Sequence, residues 1–125
     1  MKLLLLASGG GAIGAGIRFL VNRAFAHHGF IEFPWATLTI NITGSFLMGV
    51  LIEVLALRYN ASNELRVFLA TGILGGYTTF SAFSLDVALH YERGELALTA
   101  LYILLSVGLA IGGLFAGLAV VRNFS

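Results

Sequence analysis

Residues 72–84, GILGGYTTFSAFS, set paired glycines, paired threonines and phenylalanines alternating with serines inside an otherwise apolar run. Phe80 and Phe83 are three positions apart and share one helical face, while Ser81 and Ser84 share the face about 100° around. An aromatic ring is negative on its face and positive at its edge, so rings turned edge-on accept a small anion that has shed part of its water. The hydroxyls of Thr79, Ser81 and Ser84 can replace more of that water. Core packing is the other account of two phenylalanines at this spacing, and the neighbouring polar residues argue against it.

Those neighbours include a predicted break. A helix is interrupted inside a membrane only where protein, water or an ion satisfies the backbone groups set free. Gly75 and Gly76 offer conformational freedom, and Thr78 and Thr79 offer hydroxyls. The carbonyls freed around Gly75 to Thr78 then call for a positive partner. A bound cation would supply it, and a half-helix starting near Thr79 would turn its positive N-terminal end to the same place. A simple glycine kink is the alternative.

Three further groups are polar where lipid disfavours it. Thr37, Asn41 and Ser45 recur at i, i+4 and i+8. Asn41 brings two donors and an acceptor that hydrocarbon cannot satisfy, so it meets either another helix or a permeating polar species. Tyr102 and Ser106 lie one turn apart, and the stripe lapses at Ala110. Arg18 follows Gly11 and Gly14 on one helical face; it either snorkels to the interface or stands at the mouth of an anion pathway. Glu53 and Asp86 have no histidine or second acid at metal-ligand spacing, so no catalytic constellation forms and no enzyme is expected. His27 and His28 read as interfacial loop residues.

The elements that must position these groups follow from composition. The chain has 125 residues, 58% hydrophobic and 10% charged, with mean hydropathy +0.95, far from the balance of a soluble domain. A spanning helix needs about 20 mostly apolar residues. Four segments qualify: Leu3 to Phe25, Trp35 to Leu57, Arg66 to Tyr91 and Leu96 to Val121. They leave no room for a soluble domain, and residues 1–125 read as one four-helix transmembrane unit. Leu3 to Ala7 is short for the apolar core of a signal peptide. With a net charge of +1 and no cysteine, the chain has no basic field for nucleic acid, no disulfide and no thiolate site. Gly9-Gly10-Gly11-Ala12-Ile13-Gly14 fits GxGxxG, with Glu32 downstream, but lacks the strand–helix alternation a dinucleotide fold requires.

Lys2, Arg58, Arg66 and Arg122 fall on one side of such a bundle, against Arg23 and Arg93 with Arg18 inside the first span. This weak bias is compatible with insertion both ways round. Four helices fill their own centre with side chains, so a pore calls for an assembly. Gly108, Gly112, Gly113 and Gly117 provide two GxxxG spacings that allow close helix approach.

Taken in order, Gly10 to Arg18 (GGAIGAGIR), Thr37 to Ser45 (TLTINITGS) and Gly72 to Ser84 (GILGGYTTFSAFS) resemble the Fluc (CrcB) family of bacterial fluoride channels, over essentially the whole chain. The resemblance implies an all-α membrane protein of the prokaryotic plasma (inner) membrane, with four multi-pass helices, the third broken near the midplane. It further implies an antiparallel, dual-topology homodimer in the bilayer with two fluoride pathways and a structural sodium ion on the two-fold axis. Gly75 and Thr78 match the backbone carbonyls that would hold sodium. Phe80 and Phe83 match the aromatic box, Asn41 the pore asparagine, Arg18 the vestibule arginine, and Tyr102 with Ser106 the polar track. Ala110 stands where a hydroxyl is frequent and Asp86 where glutamate is usual; the first implies a lower track that is either drier or supplied by another helix, and the second a shorter reach to the ion.

The expected activity is passive, fluoride-selective export. A small proton-coupled multidrug exporter is the alternative, although such exporters carry a glutamate in the first span and this one has no acid there. A noncatalytic assembly subunit would account for the glycines but not for Asn41.

Overall fold

The structure is a computed structural model that describes residues 1–29, 32–57 and 62–124. Arg58, one of the charges in the orientation count, lies outside them. The described residues are helical apart from short connections. The elements are α1 (Lys2–His27), α2 (Trp35–Leu57), α3 (Asn63–Arg66), a π-helical segment (Val67–Leu74), α4 (Gly75–Tyr77), α5 (Phe80–Glu92) and α6 (Leu96–Asn123). Four helical stretches are long and apolar enough to cross a membrane: α1, α2, α6 and the composite run Asn63–Glu92. The expected all-α architecture and its four spans are met, each within a few residues of the predicted bounds.

Glycine decides how closely these helices approach. A Cβ built on Gly10 would come within 2.9 Å of the Gly72 Cα, and one on Gly14 would run into the Ile73 carbonyl. Gly76 packs in the same way on the Gly11 backbone. The run that imitates a dinucleotide motif is therefore a seam between α1 and the third span. On the other side of the molecule, Gly49 abuts the Leu114 carbonyl, and Gly117 abuts that of Phe46. Of the two GxxxG pairs on α6, Gly113 and Gly117 serve this contact with α2; Gly108 and Gly112 have no atom of the described chain near a Cβ position.

Within the third span the backbone changes register twice. Over Val67–Leu74 it takes the wider i→i+5 pattern, with the Gly75 N–H reaching back to the Ala70 carbonyl. Such widened turns are rare and are frequently found at functional sites. Gly75 is helical (φ −64°, ψ −38°), so the paired glycines do not supply the bend expected of them. The chain leaves the helix at Thr78 (φ −79°, ψ 157°) and Thr79 (φ −150°, ψ 122°) and re-enters it at Phe80. Thr79 is the N-cap of α5, its hydroxyl accepting from the Ala82 N–H at 3.2 Å. Threonine suits this task because its oxygen can replace a missing carbonyl of the first turn. Gly94 (φ +80°) closes the turn between α5 and α6, in a conformation that a side chain would disfavour.

Candidate functional site

Asn41 of α2 faces the two extended threonines. Its Nδ2 donates to the Thr79 carbonyl at 2.9 Å, and its Oδ1 accepts from the Thr79 N–H at 2.8 Å. One side-chain amide thus satisfies both backbone groups of Thr79, which explains how so polar a residue is tolerated in an apolar helix. The same pairing diverts the N–H that would cap the Gly75 carbonyl in a continuous helix. The Thr79 hydroxyl likewise diverts the Ala82 N–H from the Thr78 carbonyl. Arg18 lies on the α1 side, half-buried, with Nε donating to the Gly76 carbonyl at 3.1 Å. Successive backbone groups of the break are therefore held by Arg18 of α1, Asn41 of α2 and the N-cap Thr79 itself.

Beside the break is a cavity of about 390 Å³ lined by Asn41, Ser45, Thr78, Thr79, Phe80, Phe83, Ser106 and Ala110, together with aliphatic side chains and Gly44. Among the described residues, no charged side chain lines it. Its polarity comes from hydroxyls, one amide and the N-terminal end of α5, where free N–H groups and the helix dipole favour negative charge. Ser106 Oγ is buried beside the Tyr102 hydroxyl but has no hydrogen bond of acceptable geometry among the described residues. A buried hydroxyl of this kind is a donor waiting for an acceptor. Where Ala110 interrupts the stripe on α6, Ser45 of α2 contributes a hydroxyl to the same cavity.

The rings continue past the cavity. Phe80 and Phe83 have centroids 5.5 Å apart with planes tilted by 46°, so they are neither stacked nor perpendicular. Phe80 is 76% exposed on the single chain, whereas Phe83 is buried. Phe83 then meets Tyr102 at 5.2 Å, and Tyr102 meets Phe33 edge-on at 5.6 Å and 86°. Tyr102 is fully buried, and its hydroxyl donates to Asp86 Oδ2 at 2.9 Å.

The predicted site residues thus separate. Asn41, Thr78, Thr79, Phe80, Phe83 and Ser106 converge on one cavity. Tyr102 forms the wall behind Phe83, and Arg18 supports the break from outside the cavity. Ser81 and Ser84 are exposed; Ser81 Oγ lies 3.4 Å from Thr79 Oγ1, and Ser84 donates to the Phe80 carbonyl one turn back. Gly75 is exposed on the chain's surface.

Sequence reasoning missed three pairings. Tyr77 Oη lies 2.9 Å from Thr43 Oγ1. Glu53, buried at the end of α2, pairs with Arg122 at the end of α6. The four-span order already put both on one side, and a buried carboxylate needs a cation. His90, also buried, pairs through Nδ1 with Glu95 Oε1 at 2.9 Å; its five-residue offset across a turn is not a helical spacing.

Residues 5–118 match the family model described as "CrcB-like protein, Camphor Resistance (CrcB)". The chain belongs to the CrcB family. Among curated members, the fluoride-specific ion channel FluC of Agrobacterium fabrum is 52% identical over 120 residues, 96% of each chain. FluC of Rhodospirillum centenum is 50% identical over 98% of each chain, and FluC 2 of Nitrobacter hamburgensis 54% identical over the full length of both. The resemblance carried by the three sequence motifs is therefore a family membership, and this CrcB chain is a multi-pass membrane protein.

Proposed function

We propose that this chain is the subunit of a passive, fluoride-selective channel that lowers fluoride in the cytoplasm by releasing it across the bacterial plasma membrane. The observation that carries this reading is the full-length identity of about half to relatives named for that activity. The cavity supports it. Phe80, Phe83, the unpartnered Ser106 hydroxyl and the start of α5 offer weak, distributed positive potential and no fixed cation. Such a lining attracts a small anion without trapping it. Hydrogen fluoride crosses lipid and dissociates inside; an interior-negative potential then drives the anion out at about 2.3 kcal/mol per charge for each 100 mV.

The active unit is a pair of chains inserted in opposite directions. On one chain Gly75, Phe80, Ser81 and Ser84 face outward, and hydrocarbon does not satisfy the carbonyls freed at the break. A second copy covers them. The Gly75 and Thr78 carbonyls, both deprived of their helical N–H partners by Asn41 and Thr79, suit a hard monovalent cation such as Na⁺, two from each chain. When bound, that ion supplies the positive charge that keeps the two breaks facing each other.

Proteoliposomes loaded with fluoride and monitored by a fluoride electrode test the reading. Efflux should be fast, should exclude chloride, and should fall at least about tenfold in Phe80→Ile, the loss of about 1.4 kcal/mol of favourable path energy. Equal chloride and fluoride flux, or full activity in Phe80→Ile, would overturn it.

A further inference from the structure

The ring ladder of Phe83, Tyr102 and Phe33 flanks the end of the cavity nearer the start of α6. At the opposite end Met48, Ala110, Ile111 and Leu114 form apolar walls, and Ser45 is the polar side chain among them. Glycine contacts fix the level at which it stands. Gly113 lies against the Ile42 carbonyl, Gly117 against that of Phe46, and Gly49 against that of Leu114. Equal steps in the same direction on both helices make α2 and α6 parallel, with Asn41 close to the level of Ala110 and Ser45 close to that of Leu114, one turn farther on. Tyr102 and Ser106 of α6 therefore give out where Asn41 and Ser45 of α2 take over. The two polar stripes form one track that changes helix at Ala110.

Many hydroxyls elsewhere in the spans are already occupied. Thr43 donates to the Thr39 carbonyl at 2.7 Å, Thr78 to that of Leu74 at 3.0 Å, Ser84 to that of Phe80 at 3.0 Å and Thr99 to that of Glu95 at 2.7 Å. Bonding back to the carbonyl one turn before lets a helix in lipid satisfy serine and threonine by itself. Ser45 does not do so. It is half-buried on the cavity wall, and among the described residues its hydroxyl makes no hydrogen bond. Asn41 also keeps a donor in reserve: its Nδ2 carries two hydrogens, and the Thr79 carbonyl takes one. With the Ser106 hydroxyl, three neutral donors follow one another along the seam, each without a protein acceptor among the described residues.

We propose that Ser45 is a pathway residue whose hydroxyl donates to fluoride as the anion passes Asn41, in place of the hydroxyl that α6 lacks at Ala110. The proposal rests on the channel reading above. A neutral donor of this kind replaces part of the anion's hydration and still lets it go. Past Ser45 the wall continues with Met48, so the serine is the last hydrogen-bond partner that α2 offers the anion inside the cavity.

Fluoride efflux from proteoliposomes, paired with thermal unfolding in detergent, tests this. Ser45→Ala should slow efflux at least about five-fold, the effect of one lost hydrogen bond, and should leave the thermal midpoint at the wild-type value. Adding Ala110→Ser to Ser45→Ala returns a hydroxyl to the seam one turn nearer Ser106 and should recover most of the lost rate, which a role in packing alone does not predict. Wild-type efflux in Ser45→Ala overturns the proposal. A loss that Ala110→Ser leaves unrepaired assigns Ser45 to packing and overturns it too. Both of those outcomes leave the channel reading standing, whereas a wild-type chain that passes no fluoride overturns the channel reading and this proposal together.

Discussion

Asn41 does for Thr79 what a neighbouring helical turn does elsewhere: it gives one donor and one acceptor to a backbone that has left the helix. Replacing it with leucine strips both, and each unsatisfied group costs about 1 to 3 kcal/mol. The expected outcome is a lower thermal midpoint in detergent and efflux reduced at least about tenfold. Asn41→Asp should keep the bond to the Thr79 N–H and lose the one to its carbonyl, so it should fall between the two. Ser106→Ala makes a sharper separation. Its hydroxyl makes no hydrogen bond of acceptable geometry among the described residues, so stability should stay within about 0.5 kcal/mol of wild type while fluoride efflux drops. Asn41 was legible as a polar group that hydrocarbon cannot satisfy; its partner was not. That pairing depends on the break falling at Thr78 and Thr79, where the sequence invited a bend at Gly75 and Gly76.

At the scale of the element, the glycines are contact surfaces. Gly14→Ala drives a methyl group into the Ile73 carbonyl, and Gly76→Ala drives one into the Gly11 backbone. Overpacking of this kind costs about 1 to 3 kcal/mol, and more where backbone opposes it. Gly9→Ala, with open space around it, is the control and should be neutral or slightly stabilising, since alanine favours the helix. Thermal unfolding in detergent ranks the three. Four spans were readable from apolar length because a bilayer leaves little choice. Which glycine meets which backbone was not, since GxxxG marks closeness without naming the neighbour. The π-helical stretch was equally hidden: Val67–Leu74 is an ordinary apolar run by type, and its widened turns lie where it packs closely on Gly10 and Gly14 of α1.

At the scale of the whole molecule, Glu53 and Arg122 join the ends of the second and fourth spans. Arg122 keeps a mostly exposed side chain while Glu53 is buried, so the loss of the arginine is the more damaging single change. Arg122→Ala should destabilise more than the double variant Glu53→Leu with Arg122→Ala, because the single change leaves a buried carboxylate without its cation. A double-mutant cycle on detergent stability checks this. The proposed pair of oppositely inserted chains would give its own signature. The sequence has no cysteine, so Asn123→Cys creates one label site, and insertion in both directions predicts that an impermeant maleimide added outside intact cells reaches about half of it. The weak charge bias was readable as permission for such insertion, whereas the outward-facing Gly75 and Phe80, on which the proposed pairing rests, became visible only in the structure.

The ring ladder ends on an optical reporter. Trp35 is the only tryptophan, and its ring centroid lies 4.7 Å from that of Phe33, which in turn abuts Tyr102. The protein therefore carries a single emitter joined by ring contacts to Phe83 on the cavity wall, so its fluorescence offers a dye-free readout of changes in that packing.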